Sequence, residues 1–456
     1  MMASDCTALI IFGVTGDLAR KKIFGVLYDL AVLGRPNMAV IGVGRSQWSR
    51  EKLRTVASEA IRAAHDEPGA LDEALLATVL NRLDYVQGAY DSPDLYRALA
   101  GSAHGHTQVL CYLAVPPTVF ATIVEGLAET DLAPCVRLLI EKPFGSDLAS
   151  ATALKARIDT HFDESQTFAV DHYLEKESLQ NLMVLRFANR WLEPAWNAGH
   201  IESVSVTMAE NFGIEGRAGF FDSNGTLRDV VQNHGLQIVT ALAMEPPASA
   251  SADDVNDRRS QLLGAIATLK PDEVVFGQYD GYRDVEGVNQ DSNTETYVRA
   301  RLRIDNDRWR GVAWTLIAGK ALAETSTEIV VEFRAASAPS FIAEDCQPEA
   351  NCLRITMAPV EAVALTLQAR SASLALGTAA AELVTDGGYR SSERADAYAR
   401  LFDDARRGDH TGFARADVVE QSWRVINDLL DRTQPPTIYP QGSWGPTNLD
   451  GSDTGQ

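Results

Sequence analysis

The chain of 456 residues is 45% hydrophobic, 23% charged and 7% aromatic, proportions that exclude a disordered, collagenous or low-complexity protein. At about 150 residues per domain this length predicts two or three domains, and two are favoured because no internal repeat is found. With 41 basic and 62 acidic residues the net charge is −21, which argues against a nucleic-acid partner and requires any phosphate site to have local cations.

The first third of the chain alternates short apolar runs with helical stretches. The runs, each typical of a strand buried on both faces, are 8–12, 38–44, 109–114, 136–140 and 167–170. A helical stretch from about Leu18 to Leu33 follows the first run. This alternation predicts a parallel, doubly wound sheet, which we interpret as a Rossmann-type dinucleotide-binding domain over residues 1–172. Ligands of such sheets bind at the carboxyl ends of the strands.

The pattern changes after about residue 175, and we interpret residues 173–456 as an α+β domain. Two long helices are predicted at 174–190 and 228–244, with a strand near 204–208 between them. Alternating apolar and polar residues then predict a large, mostly antiparallel sheet with one solvated face. Its predicted strands are 297–304, 312–316, 329–333, 353–357 and 363–367. A loop is predicted at 246–254, and helices return at 396–406 and 417–430.

The turn after the first predicted strand carries Gly13 and Gly16. Glycines at such a turn let the backbone approach a pyrophosphate at a helix N-terminus, although many such turns need glycine only for a positive φ. The end of the second strand indicates which dinucleotide binds, because NAD sites have an acid there and an arginine accommodates the 2′-phosphate of NADP. Gly44-Arg45-Ser46 contains no acid, which favours NADP. A solvated surface arginine is the alternative.

Two further motifs follow predicted strands. Glu141-Lys142-Pro143 comes after 136–140, where a lysine would face the ligand crevice, although a turn lysine is more often on the surface. His172 and Lys176 are four residues apart at the start of the helix predicted at 174–190, so they would share a face near its positive end. This arrangement predicts an anion site, with a partly exposed helix start as the alternative.

His234 lies on the apolar stripe of the helix predicted at 228–244. A lone histidine on such a stripe is usually a core residue with its hydrogen bonds satisfied. A general base would need a carboxylate to orient it, and Asp171 and Asp229 are the candidates.

Other features argue against a membrane or metal site. No apolar run approaches the roughly 18 residues of a membrane-spanning helix. The five cysteines are odd in number and form no CxxC pair, and the eight histidines are scattered. We therefore expect no membrane partner, no metal and a reducing, cytoplasmic setting.

Read together, the motifs resemble those of the glucose-6-phosphate dehydrogenase family. The resemblance runs in order from about residue 9 to 446, and its most specific blocks contain Asp-His-Tyr-Leu and Gln-Asn-His. The blocks are Gly13–Ala19, Glu141–Gly145, Asp171–Glu177, Asn181–Asn189, Glu215–Asp222, Leu227–His234, Gly319-Lys320 and Gly442–Pro446.

The resemblance implies oxidation of glucose 6-phosphate at C1 to the lactone, with hydride passing to NADP⁺, which is the entry step of the pentose phosphate pathway. It implies His234 as the base and Asp171 as the residue that orients it. It places His172, Tyr173 and Lys176 at the sugar phosphate. It assigns the sugar hydroxyls to Lys142, Glu210, Asp229 and Lys320, with Lys142 also near the nicotinamide.

For the cofactor, the resemblance implies Gly13, Thr15, Gly16, Asp17, Leu18, Lys22, Arg45 and Lys142. Thr15, Lys22 and Arg45 would surround the 2′-phosphate. It also implies a Rossmann-type domain joined to an α+β domain for substrate binding and oligomerisation, and a homodimer or homotetramer formed through the large sheet.

Two positions depart from the family's usual pattern. Glu175 stands where glycine is usual, and Thr325 stands where a second basic residue is usual. One acid gained and one base lost would weaken a phosphate site, unless Glu175 faces solvent and another cation fills the gap.

Two alternative functions stay open. The two departures favour a relative that oxidises another sugar or sugar phosphate, and a non-catalytic nucleotide-binding partner is the second alternative. Retention of His234, Asp171 and Lys142 argues against the non-catalytic partner. The wider sugar-oxidoreductase group shares the Glu-Lys-Pro turn, but its members should lack Gln-Asn-His.

Overall fold

The structure, a computed structural model, describes residues 7–34, 38–66, 71–171, 173–336, 348–371, 378–385 and 397–447. These residues form two compact units. The first unit contains the described residues of Met1–Lys176, Ser249–Asn256 and Ser392–Glu420, and the second contains the others. The division into domains at 1–172 and 173–456 stays a prediction, whereas the compact units are discontinuous along the chain.

The secondary structure of the described residues follows in chain order. The strands are β1 Thr7–Phe12, β2 Ala39–Gly44, β3 Leu83–Gln87, β4 Gln108–Leu113, β5 Val136–Glu141, β6 Thr167–Val170, β7 Ile201–Ala209, β8 Val274–Tyr279, β9 Tyr297–Leu302, β10 Ala313–Gly319, β11 Ser326–Phe333, β12 Cys352–Ala358, β13 Ala362–Arg370, β14 Thr378–Thr385 and β15 Thr437–Tyr439. The α-helices are α1 Phe24–Val32, α2 Arg50–Ala64, α3 Glu73–Asn81, α4 Pro93–Ser102, α5 Phe120–Ala128, α6 Leu148–Asp159, α7 Glu177–Ala188, α8 Ala218–Thr226, α9 Leu236–Ala243, α10 Ala252–Ala265, α11 Ala397–Arg407 and α12 Ala416–Ile426. Two segments are π-helical, Ala19–Ile23 and Leu227–Gly235.

The first unit is built on a parallel sheet of six strands in the order β3-β2-β1-β4-β5-β6. Alternate residues of β1 face opposite sides, so Leu9 and Ile11 pack into one apolar cluster and Ile10 and Phe12 into another. Because both faces are covered by helices, β1 must be apolar along its whole length. The predicted Rossmann-type domain is confirmed.

The chain returns to the first unit through α11, which confirms the helix predicted at 396–406, although the sequence pattern did not assign this helix to the first domain. Tyr398 and Phe402 of this helix, together with Phe413, belong to the same buried cluster as Tyr112 and Phe168 of the parallel sheet. A segment from the last seventh of the chain therefore completes the core of the first unit.

The second unit contains a sheet of nine strands in the order β14-β13-β12-β11-β7-β10-β9-β8-β15. The pairs β7–β10 and β8–β15 are parallel and the other pairs are antiparallel, so the predicted mostly antiparallel sheet is confirmed. Strands β8, β14 and β15 were not predicted. For β14 the reason is its exposure along nearly the whole strand, which leaves no apolar alternation to detect.

Several predicted helices have different boundaries. The helix expected at 174–190 is α7, which begins at Glu177 because the preceding residues form a turn. The helix expected at 228–244 consists of the π-helical segment followed by α9. The predicted loop at 246–254 ends earlier, since α10 begins at Ala252. Within the described ranges, none of the helices has the length and apolar character that a membrane crossing requires.

Two glycines with the same backbone angle allow the glycine turn after β1 to be tested. Gly13 and Gly34 both have φ of +81°, but a Cβ on Gly13 would lie 2.2 Å from the carbonyl oxygen of Ala114, whereas one on Gly34 would meet no atom within 4 Å. We expect Gly34→Ala to cost about 1–2 kcal/mol of unfolding free energy from backbone strain alone. Gly13→Ala should cost clearly more, because the backbone must also move. Urea unfolding measures both, and equal losses would contradict the close approach.

Candidate active site

The turn after β1 is joined to the end of β2 by backbone hydrogen bonds. The N–H groups of Gly13 and Val14 donate to the carbonyl oxygen of Val43 at 2.9 and 3.1 Å. The hydroxyls of Thr15 and Ser46 lie 3.5 Å apart. Because β1 and β2 are neighbouring parallel strands, the predicted cofactor residues after each strand lie side by side.

Positive charge is concentrated at this turn, although the chain as a whole carries −21. Arg45 and Lys22 are exposed, and neither forms an ion pair with a carboxylate among the residues that the structure describes. Asp17 is exposed, and its Oδ2 lies 3.8 Å from Nζ of Lys21. The glycine backbone and these cations fit a phosphorylated dinucleotide, since backbone N–H groups and side-chain cations are the usual phosphate partners.

The carboxyl end of β5 holds a buried acid next to Lys142. Glu141 is only 6% exposed, and the hydroxyl of Tyr112 donates to its Oε1 at 2.6 Å. The hydroxyl of Tyr398 also hydrogen-bonds this carboxylate. Burial raises the pKa of Glu141; the hydrogen bonds and the positive charge of Lys142 oppose this rise, and the charge of Asp171 adds to it. The backbone that carries Lys142 is therefore anchored by a deeply buried polar group.

The end of β6 forms a tight turn before α7. Asp171 is buried; its Oδ1 accepts from the N–H of Tyr173 at 3.1 Å and its carbonyl from Leu174 at 3.0 Å. Lys176 is exposed, with its Nζ 4.3 Å from the centroid of the Tyr173 ring. The prediction that Lys176 lies on a helix is wrong, because α7 begins one residue later. His172 lies outside the described residues.

Glu175, predicted to place an extra negative charge at this turn, has a cationic partner. Its side chain is 7% exposed, and Nε of Arg400 lies 3.5 Å from its Oε2. Nη2 of Arg400 also donates to the carbonyl oxygen of Glu175 at 2.6 Å. The acid neither faces solvent nor stands uncompensated, which corrects both sequence-based interpretations of this residue.

In the second unit, Glu210 and Lys320 follow the parallel neighbours β7 and β10. The Nζ of Lys320 donates to the carboxylate of Glu210. Lys320 is largely buried, with its Nζ 5.2 Å from the ring centroid of Phe221 and 5.5 Å from that of Phe212. The structure thus brings together two residues that the resemblance assigns to the sugar hydroxyls.

Asp229 and His234 lie on the π-helical segment Leu227–Gly235, where both are half-buried. They are five residues apart, which is the hydrogen-bonding interval of a π-helix, so the α-helical spacing assumed for this stripe is wrong here. Gln232 is buried, and its Nε2 donates to the hydroxyl of Ser422 on α12 at 2.8 Å. This bond fixes the segment that carries His234.

Thr325, where a second basic residue is usual, forms two hydrogen bonds with Asn211. Its hydroxyl donates to Asn211 Oδ1 at 2.7 Å and accepts from the Asn211 N–H at 3.0 Å. The side chain at this position therefore carries no positive charge, as the sequence predicted.

The predicted residues fall into two groups, one in each unit. Asp171 belongs to the first unit and His234 to the second, so their pairing stays a prediction. Sequence reasoning missed three residues that support the predicted site. They are Tyr112, Tyr398 and Arg400. No local motif marks Tyr398 or Arg400, since their partners are distant in the sequence.

The buried carboxylate predicts a pH dependence of stability. The pKa of Glu141 is raised in the folded chain. The contribution of this side chain to stability is therefore fully present below its pKa in the unfolded chain, about 4.3, and is lost as the pH rises through its pKa in the folded chain. Glutamine does not titrate. As the pH rises over this range, we expect the unfolding free energy of Glu141→Gln to increase relative to that of the native chain. Urea unfolding of both proteins measures the difference.

Asp84 provides a control of opposite sign. Partial burial acts to raise the pKa of Asp84, but hydrogen bonds from Arg50 and from the N–H of Tyr85 hold it below its ordinary value. Its stabilising contribution is therefore present above the unfolded value and is lost as the pH falls through the folded one. Asp84→Asn should lose stability relative to the native chain as the pH rises. Parallel profiles for Glu141→Gln and the native chain would contradict the buried carboxylate.

Comparison with known proteins matches this chain to one family along nearly its whole length. The family model "Glucose-6-phosphate dehydrogenase, NAD binding domain" matches residues 10–181, and "Glucose-6-phosphate dehydrogenase, C-terminal domain" matches residues 183–452. Glucose-6-phosphate 1-dehydrogenase 1 of Mycobacterium bovis is 40% identical, over 97% of this chain and 93% of its own.

Two further relatives agree. The cytoplasmic glucose-6-phosphate 1-dehydrogenase 6 of Arabidopsis thaliana is 37% identical, over 98% of this chain and 90% of its own. A solved glucose-6-phosphate dehydrogenase in complex with its substrate glucose-6-phosphate is 36% identical, with a TM-score of 0.89 and coverage of 98% of this chain and 97% of that chain. With both family models matched and relatives similar along nearly their whole length, this chain belongs to the glucose-6-phosphate dehydrogenase family and is an oxidoreductase.

Proposed function

We propose that this chain oxidises glucose 6-phosphate at C1 to 6-phosphogluconolactone and transfers the hydride to NADP⁺. The observation that carries the proposal is the similarity, over 98% of this chain, to a dehydrogenase solved with glucose 6-phosphate. The test is the appearance of NADPH absorbance when both substrates are added, with glucose 6-phosphate alone and NADP⁺ alone as controls. No absorbance change with both present would refute the proposal.

His234 is the general base of this proposal. The oxidised carbon releases a hydride only as its hydroxyl proton leaves, so a base must accept that proton. A neutral imidazole can accept it near neutral pH, and a nearby carboxylate stabilises the imidazolium that forms. We assign the orienting role to Asp171 on the family resemblance. Asp229, on the same π-helical segment as His234, contacts the sugar.

The remaining substrate residues divide by the chemistry of the group that they bind. Lys176, Tyr173 and His172 bind the phosphate through cation and hydrogen-bond donors. Lys142, Glu210, Asp229 and Lys320 bind the sugar hydroxyls. A hydroxyl both donates and accepts hydrogen bonds, and the adjacent Lys320 and Glu210 offer a donor and an acceptor to it.

The cofactor residues lie after β1 and β2. When bound, NADP⁺ supplies the hydride acceptor. The turn Gly13, Thr15, Gly16, Asp17 and Leu18 approaches the pyrophosphate, while Thr15, Lys22 and Arg45 bind the 2′-phosphate. The exposed cations at this turn support NADP rather than NAD.

We also propose a homo-oligomer, a dimer or tetramer, formed through the large sheet. Strands β13 and β14 at its edge expose Leu367, Leu383 and Val384, apolar side chains that a partner subunit would cover. The cytoplasm is the proposed location, because the relative from Arabidopsis thaliana is a cytoplasmic enzyme.

Thr325 favours a second candidate function, the oxidation of another sugar phosphate. Bonded to Asn211, it supplies no cation where the family usually has one. Comparing kcat/KM for glucose 6-phosphate, other hexose 6-phosphates and glucose distinguishes the two functions. A higher value for a different sugar phosphate would establish the second.

His234→Asn should lower kcat by about 10²–10⁴, the usual contribution of a positioned base, while KM for both substrates stays near its native value. Asparagine keeps the size and polarity of the side chain but does not accept a proton. Steady-state kinetics with both substrates varied measures the effect. A native kcat in this variant would show that another residue is the base.

Arg45→Ala should raise KM for NADP⁺ well over tenfold, because charge-assisted contacts to a phosphate contribute on the order of 1.5–3 kcal/mol. KM for NAD⁺, which has no 2′-phosphate, should change far less. Arg97, an exposed arginine paired with Asp94 on α4, is the matched control, and Arg97→Ala should leave both values unchanged. Equal losses for NADP⁺ and NAD⁺ in Arg45→Ala would show that Arg45 does not bind the 2′-phosphate.

A further inference from the structure

Helix α11 is held rigidly against the parallel sheet of the first unit. The ring of Phe402 packs edge-on against Tyr112 of β4, with centroids 5.1 Å apart. At the C-terminal end of the helix, Nη1 of Arg137 on β5 donates to the carbonyl oxygens of Ala405 and Arg406, the latter at 2.7 Å. A cation that satisfies the last carbonyls of a helix also opposes its dipole. The helix is therefore fixed both along its length and at its C-terminus.

The beginning of α11 contacts both turns that carry predicted substrate lysines. Tyr398 hydrogen-bonds the carboxylate of Glu141, the residue before Lys142. Arg400 binds the backbone carbonyl and pairs with the carboxylate of Glu175, the residue before Lys176. In each case the helix holds the neighbour of a lysine.

The pair of Glu175 and Arg400 is specific in shape as well as charge. The carboxylate of Glu175 fills the space above Gly412, where an added Cβ would lie 2.0 Å from its Oε1. Removing Arg400 would take this cation away from a carboxylate that is 7% exposed, and the loss of a partner from a buried charge is strongly unfavourable. The turn would have to move to expose the acid, and Tyr173 and Lys176 would move with it.

We infer that Arg400 and Tyr398 are positioning residues, through which α11 fixes the phosphate-binding turn and the Lys142 turn in their binding geometry. This inference rests on the proposed function. Neither residue needs to touch the substrate: Arg400 acts through Glu175, and Tyr398 acts through Glu141. Arg400 therefore affects the phosphate end of the substrate, whereas Tyr398 affects Lys142, which is assigned to both the sugar and the nicotinamide.

The first test compares Arg400→Met with Arg400→Lys, which keeps the charge. Arg400→Met should raise KM for glucose 6-phosphate, and the Ki of inorganic phosphate as a competitive inhibitor, by about tenfold, a factor equivalent to ~1.4 kcal/mol. KM for NADP⁺ should change less than about twofold, and Arg400→Lys should restore part of the loss. Arg407→Met, which removes an exposed arginine from the same helix, should change none of these constants.

The second test acts on Glu175 through a residue outside the proposed substrate site. Gly412→Ala should push the carboxylate away from Arg400 and raise KM for glucose 6-phosphate. In a Glu175→Gly background, the same Gly412→Ala change should have no effect, because the clashing carboxylate is gone. Equal effects of Gly412→Ala in both backgrounds would overturn the role of Glu175.

The third test concerns Tyr398. Tyr398→Phe removes a donor to Glu141 and should lower kcat/KM for both glucose 6-phosphate and NADP⁺, in contrast to Arg400→Met. An effect on neither substrate would overturn its positioning role.

The outcomes separate this inference from the proposed function. A native chain that produces no NADPH from glucose 6-phosphate refutes the function. An active native chain whose Arg400→Met variant keeps a native KM, or loses affinity equally for both substrates, refutes the inference. If Arg400→Met does not fold, the double variant Glu175→Gln/Arg400→Met, which removes both charges, is used in the same test instead. The double variant should still show a raised KM for glucose 6-phosphate, because the bond from Nη2 to the turn is absent, and a native value would overturn the inference.

Discussion

The parallel sheet of the first unit determines where its functional side chains lie, because all six strands end at the same edge. The predicted cofactor residues follow β1 and β2, and the predicted substrate residues Lys142 and Asp171 follow β5 and β6. Strand β4 alone separates β1 from β5, so the residues that follow these two strands are roughly 10 Å apart at the usual spacing between strands. A dinucleotide in the crevice at this edge can therefore reach both groups.

The predicted phosphate sites have local positive charge, although the chain as a whole carries a net charge of −21. Exposed Arg45, after β2, and Lys22, in the π-helical segment after the glycine turn, have no carboxylate partner among the described residues, so their charge is available to a phosphate. The buried acids Glu141 and Glu175 are instead bound by donors from α11. The two buried acids hold their turns in place, since a buried carboxylate is stable only when it is hydrogen-bonded or paired.

The second unit uses a different geometry to present polar groups. A parallel pair within a mostly antiparallel sheet places Glu210 and Lys320 next to each other. The π-helical segment then sets Asp229 and His234 at its five-residue interval. Because π-helical geometry is unfavourable in isolation, the bond from Gln232 to Ser422 is part of what maintains it.

Five of the six strands of the parallel sheet, the glycine turn and the family could be predicted from local sequence patterns. Strand β3 could not, because Leu83 is its one buried residue. A strand buried on both faces must be a continuous apolar run, and a turn with positive φ needs glycine, so both leave a local pattern. Other features had no such pattern. The π-helical segment Leu227–Gly235 completes only about two turns, too few for an apolar stripe to distinguish it from an α-helix, so the geometry around His234 could not be read from periodicity. Glu175 looked like an uncompensated acid because its partner Arg400 is 225 residues away. Such pairs form only in the folded chain, because packing α11 against the parallel sheet brings together residues that are far apart in the sequence.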